Sequence, residues 1–334
     1  MKALIFTGNG EMKIVERGMP KAKDRVVVVK MLLSGICGTD LEMLLPRASD
    51  NVPGHEGVGV VYEVDKARRF KVGDRVIINC HVTCRHCEHC AAGDEIFCPE
   101  LKAIGFDLPG TNEQYLAIPE ESLRPLPDDI SEEVGVLIGD ALGTPYHAVK
   151  KADITPGDYV GVWGAGPLGM MAMFVANKFG ARVIAVDVNN TRLEQAMEYG
   201  ASYIINPMDG DVYEKVREIT GGAGLRSAIQ CTPSEKAVVA ALRCLGLRGI
   251  LVQVGVCGHV EFDFYGLLNE RELSIRASRN FNANELDELM DLARKNPDIK
   301  SLVTHRYKLE QAKEAFECAK EGRGLKVVIG PNDK

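Results

Sequence analysis

The chain has 334 residues, more than one hydrophobic core usually serves, so two lobes are expected. Apolar residues at 46% and charged residues at 26% are ordinary for a globular protein, and no run approaches the roughly 20 apolar residues of a spanning helix, so neither disorder nor a membrane is suggested. A net charge of −7 without a basic block argues against a nucleic-acid partner.

The first residues, MKALIFTGNGEMKIVE, break their apolar run early and read as a strand and turn rather than a signal peptide, so a cytoplasmic location is expected. Through residues 1–148, short β-rich runs (VVVVKMLL, GVGVVYEV, DRVIIN, EQYLAI) alternate with Gly, Pro and charged clusters, the pattern of an antiparallel lobe. Three fragments of this lobe carry side chains suited to chemistry. SGICGTD ends a strand with Cys37; VPGHEGVGV puts His55 and Glu56 at a turn into a strand; GVLIGDALGTPYHAV holds Asp140 and His147. Singly, each has a bland reading: a buried thiol, a satisfied polar group, a helix cap.

Within 81–98, HVTCRHCEHCAAGDEIFC, the spacing C-x2-C-x2-C-x7-C lets Cys84, Cys87, Cys90 and Cys98 converge on one tetrahedral ion. Three readings compete: structural zinc, an iron–sulfur cluster suggested by the close run and the Cys98-Pro99 pair, and redox thiols. A site of four protein ligands has no position for substrate, so metal catalysis needs a second, open site elsewhere. His81, His86 and His89 read as exposed loop residues. Cys80, Cys231, Cys244, Cys257 and Cys318 fit no ligand spacing and read as buried apolar thiols.

Through residues 149–278 strand and helix alternate: YVGVWG, PLGMMAMFVANKFG, ARVIAVDV, TRLEQAMEYG, SYIINP, VYEKVREIT, LRSAIQC, PSEKAVVAALRCL, GILVQVG and ELSIRAS. Such alternation implies βαβ units in an α/β, Rossmann-type doubly wound parallel sheet. VWGAGPLGMM places Gly164, Gly166 and Gly169 between a strand and a helix, with Pro167 and Leu168 opening that helix. Here the glycines allow a tight turn, a close approach of backbone to pyrophosphate, and close helix–strand packing. Asp187, at the end of ARVIAVD, suits a ribose 2′-OH and repels a 2′-phosphate, favouring NAD over NADP. The tail, residues 279–334, adds two amphipathic helices and a strand, LKVVIG, and is expected to return to the first lobe.

In this order, GICGTD, PGHEGVG, GDRV, CRHCEHCAAGDEIFC, GAGPLG and VDVNNTR resemble the zinc-dependent medium-chain dehydrogenase/reductase family along essentially the whole chain. The resemblance implies a GroES-like catalytic domain with the structural zinc loop at 81–98, followed by the NAD-binding domain and the C-terminal return. It implies two zinc ions per chain, one on the four loop cysteines and a catalytic one held by Cys37, His55 and Asp140. Thr39 would pass the substrate proton and Asp40 would orient His55. Glu56 would stand behind the ion or serve as an exchangeable fourth ligand. Thr144 would lie near the nicotinamide, Arg192 near the adenine ribose, and Lys326 at the pyrophosphate. A homo-oligomer follows from the same likeness, a tetramer rather than a dimer.

Three departures from some members are visible: Asp140 stands where long-studied alcohol dehydrogenases carry Cys and sorbitol dehydrogenases Glu, although some bacterial secondary-alcohol dehydrogenases also use Asp; Glu42 stands where many carry a proton-relaying His, and Gly38 where vertebrate alcohol dehydrogenases carry an Arg. The activity implied is hydride transfer from a secondary hydroxyl of a polyol, sugar or cyclitol to NAD. A small secondary-alcohol or threonine-type dehydrogenase is the alternative, and a non-catalytic NAD-binding regulator is the reading from another class.

Overall fold

The computed structural model describes residues 1–333, without the side chains of Met43 and Leu44; Lys334, the last residue of the expected C-terminal return, lies outside them. The chain divides into two compact units, Met1–Ala141 with Asn282–Lys334, and Leu142–Phe281.

The first unit is built on a mostly antiparallel sheet in the order Leu123–Pro125, Arg75–Ile78, Glu56–Glu63, Val26–Gly35, Lys326–Gly330, Val303–Lys308, with Tyr115–Pro119 also paired to Val26–Gly35. Val-rich runs suit the central strands to a buried sheet, and Val27, Val29, Met31, Val61, Ile78, Leu116 and Ile118 form one core. A second core gathers Leu4, Phe6, Ile36, Phe316, Val327 and Ile329, where Phe6 and Phe316 meet edge to face at 5.4 Å. The helix Glu132–Gly139, capped by Ser131, whose side chain accepts the Val134 N–H at 3.3 Å, packs on the central strands and delivers Asp140 at its C-terminal end. Val303–Lys308 is a strand that the sequence reading passed over; it pairs parallel to Lys326–Gly330.

The second unit is an all-parallel six-stranded sheet in the order Ala201–Ile205, Arg182–Val186, Tyr159–Trp163, Leu225–Gln230, Leu245–Gln253, Ser274–Ala277. That is the doubly wound order, with the reversal beside Tyr159–Trp163, at whose carboxyl end ligands bind in such sheets. The expected α/β fold is therefore present, with its glycine loop at the switch point. Trp163 lies in this unit's core with Ile184, Val186, Ala241 and Leu251.

Candidate functional site

Gly35 pairs with Glu56 on one side and with Val328 on the other, so three adjacent strands meet at this end of the sheet. Two steps along this antiparallel register from the Val328–Gly35 pair, Lys326 falls opposite Cys37. A side chain on Gly35 would stand 2.9 Å from the Lys326 side chain and 3.2 Å from Glu56 Cβ; glycine leaves that space to them.

Cys37, His55, Glu56 and Asp140 each bring one ligand-type atom into a group whose members lie within 4.8 Å of one another. The Cys37 thiol is 3.5 Å from Asp140 Oδ2 and 3.7 Å from Thr39 Oγ1. Asp40 is fully buried and works twice: its Oδ2 accepts the Cys37 N–H at 2.9 Å, and its Oδ1 lies 3.3 Å from His55 Nδ1. That contact fixes the imidazole and leaves Nε2 as its outward donor. The Phe106 ring packs on His55 with centroids 5.3 Å apart. Glu56 accepts from Lys326 Nζ at 2.6 Å, both groups buried. Burial, then the Asp140 carboxylate, push the Cys37 thiol up. One thiol, one imidazole and two carboxylates gathered here are chemically a divalent-cation site: the two carboxylates, buried in low dielectric, gain from a further positive charge beside them.

The loop thiols Cys84, Cys87, Cys90 and Cys98 likewise lie within 4.8 Å of one another. Backbone N–H groups point at sulfur: Cys84 N–H at Cys98 Sγ and Cys87 N–H at Cys84 Sγ, each at 3.4 Å, and Cys90 N–H at Cys87 Sγ at 3.5 Å. Hydrogen bonding from the His86 backbone lowers Cys84 to about 6. Although the Cys90 N–H pulls Cys87 down, burial and the neighbouring thiols push it up to about 11. Four sulfurs this close cannot all ionise without a cation among them, so the donor set fits a thiophilic ion. His86 is exposed and His89 half-exposed, but His81 is buried, correcting the expectation of an exposed loop residue: its pairing with Ala103 in a short ribbon turns it inward.

In the second unit Gly164 sits at φ +96°, a turn closed to most side chains. A Cβ on Gly169 would overlap the Gly164 carbonyl, lying 2.8 Å from its carbon, so the helix Pro167–Lys178 can only start this close to the strand as glycine. Gly166 is different: its φ of −81° suits any residue and a Cβ there would meet nothing within 4 Å. Protein packing leaves that space open, and a cofactor phosphate at the helix N-terminus fits it. Asp187 Oδ2 accepts the Ala165 N–H at 2.6 Å and its Oδ1 the Asn189 N–H at 2.8 Å, which holds the carboxylate beside the loop. Pro167 and Leu168 are half-buried at the helix start, and Arg192 lies in the first turn of Asn190–Glu198. Thr144 and His147 are buried in the helix Gly143–Lys150; neither belongs to the Cys37 group.

Some sequence expectations need correction or addition. Lys326 is buried in the first unit, on Glu56, a contact the sequence did not suggest. Cys231 and Cys257 are half-exposed, not buried as Cys80, Cys244 and Cys318 are, because both lie in loops after strands of the parallel sheet. Glu42 is exposed on a single π turn, Asp40–Leu44. Phe106 was not foreseen; its contact with His55 depends on a loop fifty residues away in sequence, with no local signal.

Residues 23–128 match the family described as alcohol dehydrogenase GroES-like domain, and residues 167–295 match zinc-binding dehydrogenase. A sorbitol dehydrogenase of Halalkalibacterium halodurans is 31% identical over the full length of both chains. The chain belongs to the zinc-dependent medium-chain dehydrogenase/reductase family. Among similar proteins is a probable D-xylulose reductase A of Aspergillus terreus, 33% identical over 98% of this chain and 97% of that one. Among solved structures, an alcohol dehydrogenase of Thermus sp. ATN1 superposes with a TM-score of 0.92 at 28% identity, covering 99% of each chain. Use of zinc and of a nicotinamide cofactor comes with this family, and no helix among the described residues is long and apolar enough to cross a membrane.

Proposed function

We propose that this protein is a zinc-dependent dehydrogenase that takes hydride from a secondary hydroxyl of a polyol, sugar or cyclitol and gives it to NAD. The observation that carries this reading is the group of Cys37 with the buried His55, Glu56 and Asp140 at one end of the sheet. The full-length likeness to a sorbitol dehydrogenase and a xylulose reductase supports a polyol in particular.

In this reading Cys37, His55 and Asp140 hold the catalytic zinc, and Cys84, Cys87, Cys90 and Cys98 a structural one. Zinc at an open site would lower the pKa of a bound water to about 7, on the order of 12 kcal/mol of differential stabilisation. Asp40, 3.3 Å from His55 Nδ1, would keep the ring turned so that Nε2 is the nitrogen offered to the ion. Thr39, half-buried with its hydroxyl 3.7 Å from Cys37 Sγ, receives the substrate proton and passes it outward, with Glu42 exposed on the adjoining turn as the next acceptor. Burial lifts the Glu56 carboxyl to about 7 against the pull of Lys326, which donates to it behind the group, where Glu56 is available as a fourth ligand. Phe106 covers His55 and keeps water from that side. In the second unit the Gly164–Gly169 loop takes the pyrophosphate, Asp187 the adenine ribose hydroxyls in preference to a 2′-phosphate, Arg192 the same ribose, and Thr144 the nicotinamide. Residues 1–148 with the tail from 279 would be the catalytic domain and 149–278 the cofactor domain.

A small secondary alcohol is the second reading, favoured by the apolar Phe106 ring over His55. We further propose a homo-oligomer, a tetramer before a dimer, for which the exposed edge strand Ser274–Ala277 offers a surface, and a cytoplasmic location, since four metal-binding thiols need a reducing compartment. The test is a panel of polyols, sugars, cyclitols and small alcohols with NAD and NADP, read by NADH absorbance, alongside metal analysis. The reading expects two zinc ions per chain and turnover of a polyol with NAD. Cys37→Ala and His55→Ala should lose turnover while still binding NADH, and full activity in either would refute the assignment.

A further inference from the structure

The 84–98 loop is bound to itself and to the sheet by a carboxylate that the thiols do not use. Glu95, 3% exposed, stands in the short turn Glu95–Phe97 just ahead of Cys98. Its Oε2 accepts from Arg85 Nη1 at 2.6 Å. Its Oε1 accepts from Asn79 Nδ2 at 2.9 Å and from Arg124 Nη2 at 3.4 Å. Arg85 lies between Cys84 and Cys87, and its second nitrogen donates to the Glu121 carbonyl at 2.7 Å.

One carboxylate thus joins the entry of the ligand loop to its exit. Through Asn79, just past the strand Arg75–Ile78, and Arg124, in Leu123–Pro125, it fixes both to the sheet. The Arg85 backbone has φ +65°, a left-handed conformation that non-glycine residues adopt only where the surroundings impose it. That turn aims the Cys87 N–H at Cys84 Sγ, and the bonds made by the Arg85 guanidinium are what hold the turn.

We propose that Glu95 is a positioning residue of the four-thiol metal site, holding Cys84 and Cys98 in ligating arrangement through Arg85. The inference rests on the zinc reading of this loop. Without the carboxylate, Arg85 and Arg124 lose their shared partner and the loop ends gain freedom, so the thiols must be ordered by the ion itself. Groups that orient metal ligands typically change affinity by about 10–100-fold when removed.

The experiment follows release of zinc from the holoenzyme to the chelating dye 4-(2-pyridylazo)resorcinol in the native protein, Glu95→Gln and Arg85→Gln. One equivalent should leave at least about tenfold faster in both variants. The other should leave at the native rate, with unchanged far-ultraviolet circular dichroism. In cobalt-substituted protein the thiolate-to-cobalt absorption should shift in Glu95→Gln, a change that mere loss of stability does not produce. Release within about twofold of native, or equal acceleration of both equivalents, overturns the positioning role. If Glu95→Gln does not fold, Arg85→Gln, whose side chain is 33% exposed, decides the matter by the same criteria. A native protein with no metal on the four thiols sinks the zinc reading; unchanged release from a metal-loaded variant sinks only the role of Glu95.

Discussion

Replacing Gly169 by alanine and, separately, Gly166 by alanine should give opposite results for the fold and a shared result for the cofactor. At Gly169 the new methyl would lie 2.8 Å from the Gly164 carbonyl carbon, against about 3.5–4.0 Å for an optimal carbon contact. The carbonyl oxygen is closer still, so the helix start or the turn must move by about 1.5 Å. Both are backbone, so no rotamer change relieves the overlap, and the cost falls at the upper end of the range for overpacking, about 2–3 kcal/mol. For a unit of this size that lowers the melting temperature by roughly 8–12 °C. At Gly166 the methyl meets nothing and φ is unstrained, so the melting temperature should be unchanged. NADH, titrated by its own fluorescence and by transfer from Trp163, should bind at least about tenfold more weakly to both variants, or about 1.4 kcal/mol. A Gly169→Ala protein with the native melting temperature would refute the steric argument. Native NADH affinity in Gly166→Ala would refute the assignment of that open space to the cofactor.

Lys326→Met leaves the Glu56 carboxylate buried without its cation and should destabilise the first unit by about 3–5 kcal/mol in denaturant unfolding. Adding Glu56→Gln should recover most of that loss, and an equal loss in single and double variants would dismiss the pairing. Cys90→Ala should lose one zinc and melt earlier, with activity falling only as a consequence; a native melting temperature without turnover would contradict a structural role. Burial raises Glu113 from 4.5 to about 8. Because the folded value lies above the unfolded one, this group leaves stability intact below about pH 4.5 and erodes it as pH climbs towards 8, by on the order of 3 kcal/mol at pH 7. Glu113→Gln should therefore be more stable at neutral pH and flatten the slope between those values; an unchanged slope in unfolding measured from pH 5 to 8 would reject it.

Most of the secondary structure was legible because its periodicity is strong: the Val-rich runs of the first sheet and the strand–helix alternation of the second differ in repeat and in glycine placement. Val303–Lys308 escaped notice because only alternate positions of VTHRYK are partly covered, and the outward ones are Thr304, Arg306 and Lys308. Cys37, His55 and Asp140 could be picked out through short motifs, each readable within a few residues. Their supports could not. Lys326 finds Glu56, 270 positions earlier, only through strand register, and Arg85 finds Glu95 only once the loop has closed. His81 shows the same limit: its place in the cysteine loop suggested exposure, and a two-residue ribbon decided otherwise.

The strand Lys326–Gly330, which completes the sheet beside Val26–Gly35, is made only after the whole of the second unit. At about 5–20 residues per second the earlier strand waits roughly 15–60 s for its neighbour, long enough for the intervening parallel-sheet unit to fold on its own. During that wait Cys37, His55 and Asp140 have all left the ribosome, while one edge of their sheet lies open and Glu56 lacks its cation. A chain ending before residue 326 would stay in that condition permanently, with a complete nucleotide lobe and an exposed strand edge, a substrate for aggregation or proteolysis rather than a weakened enzyme.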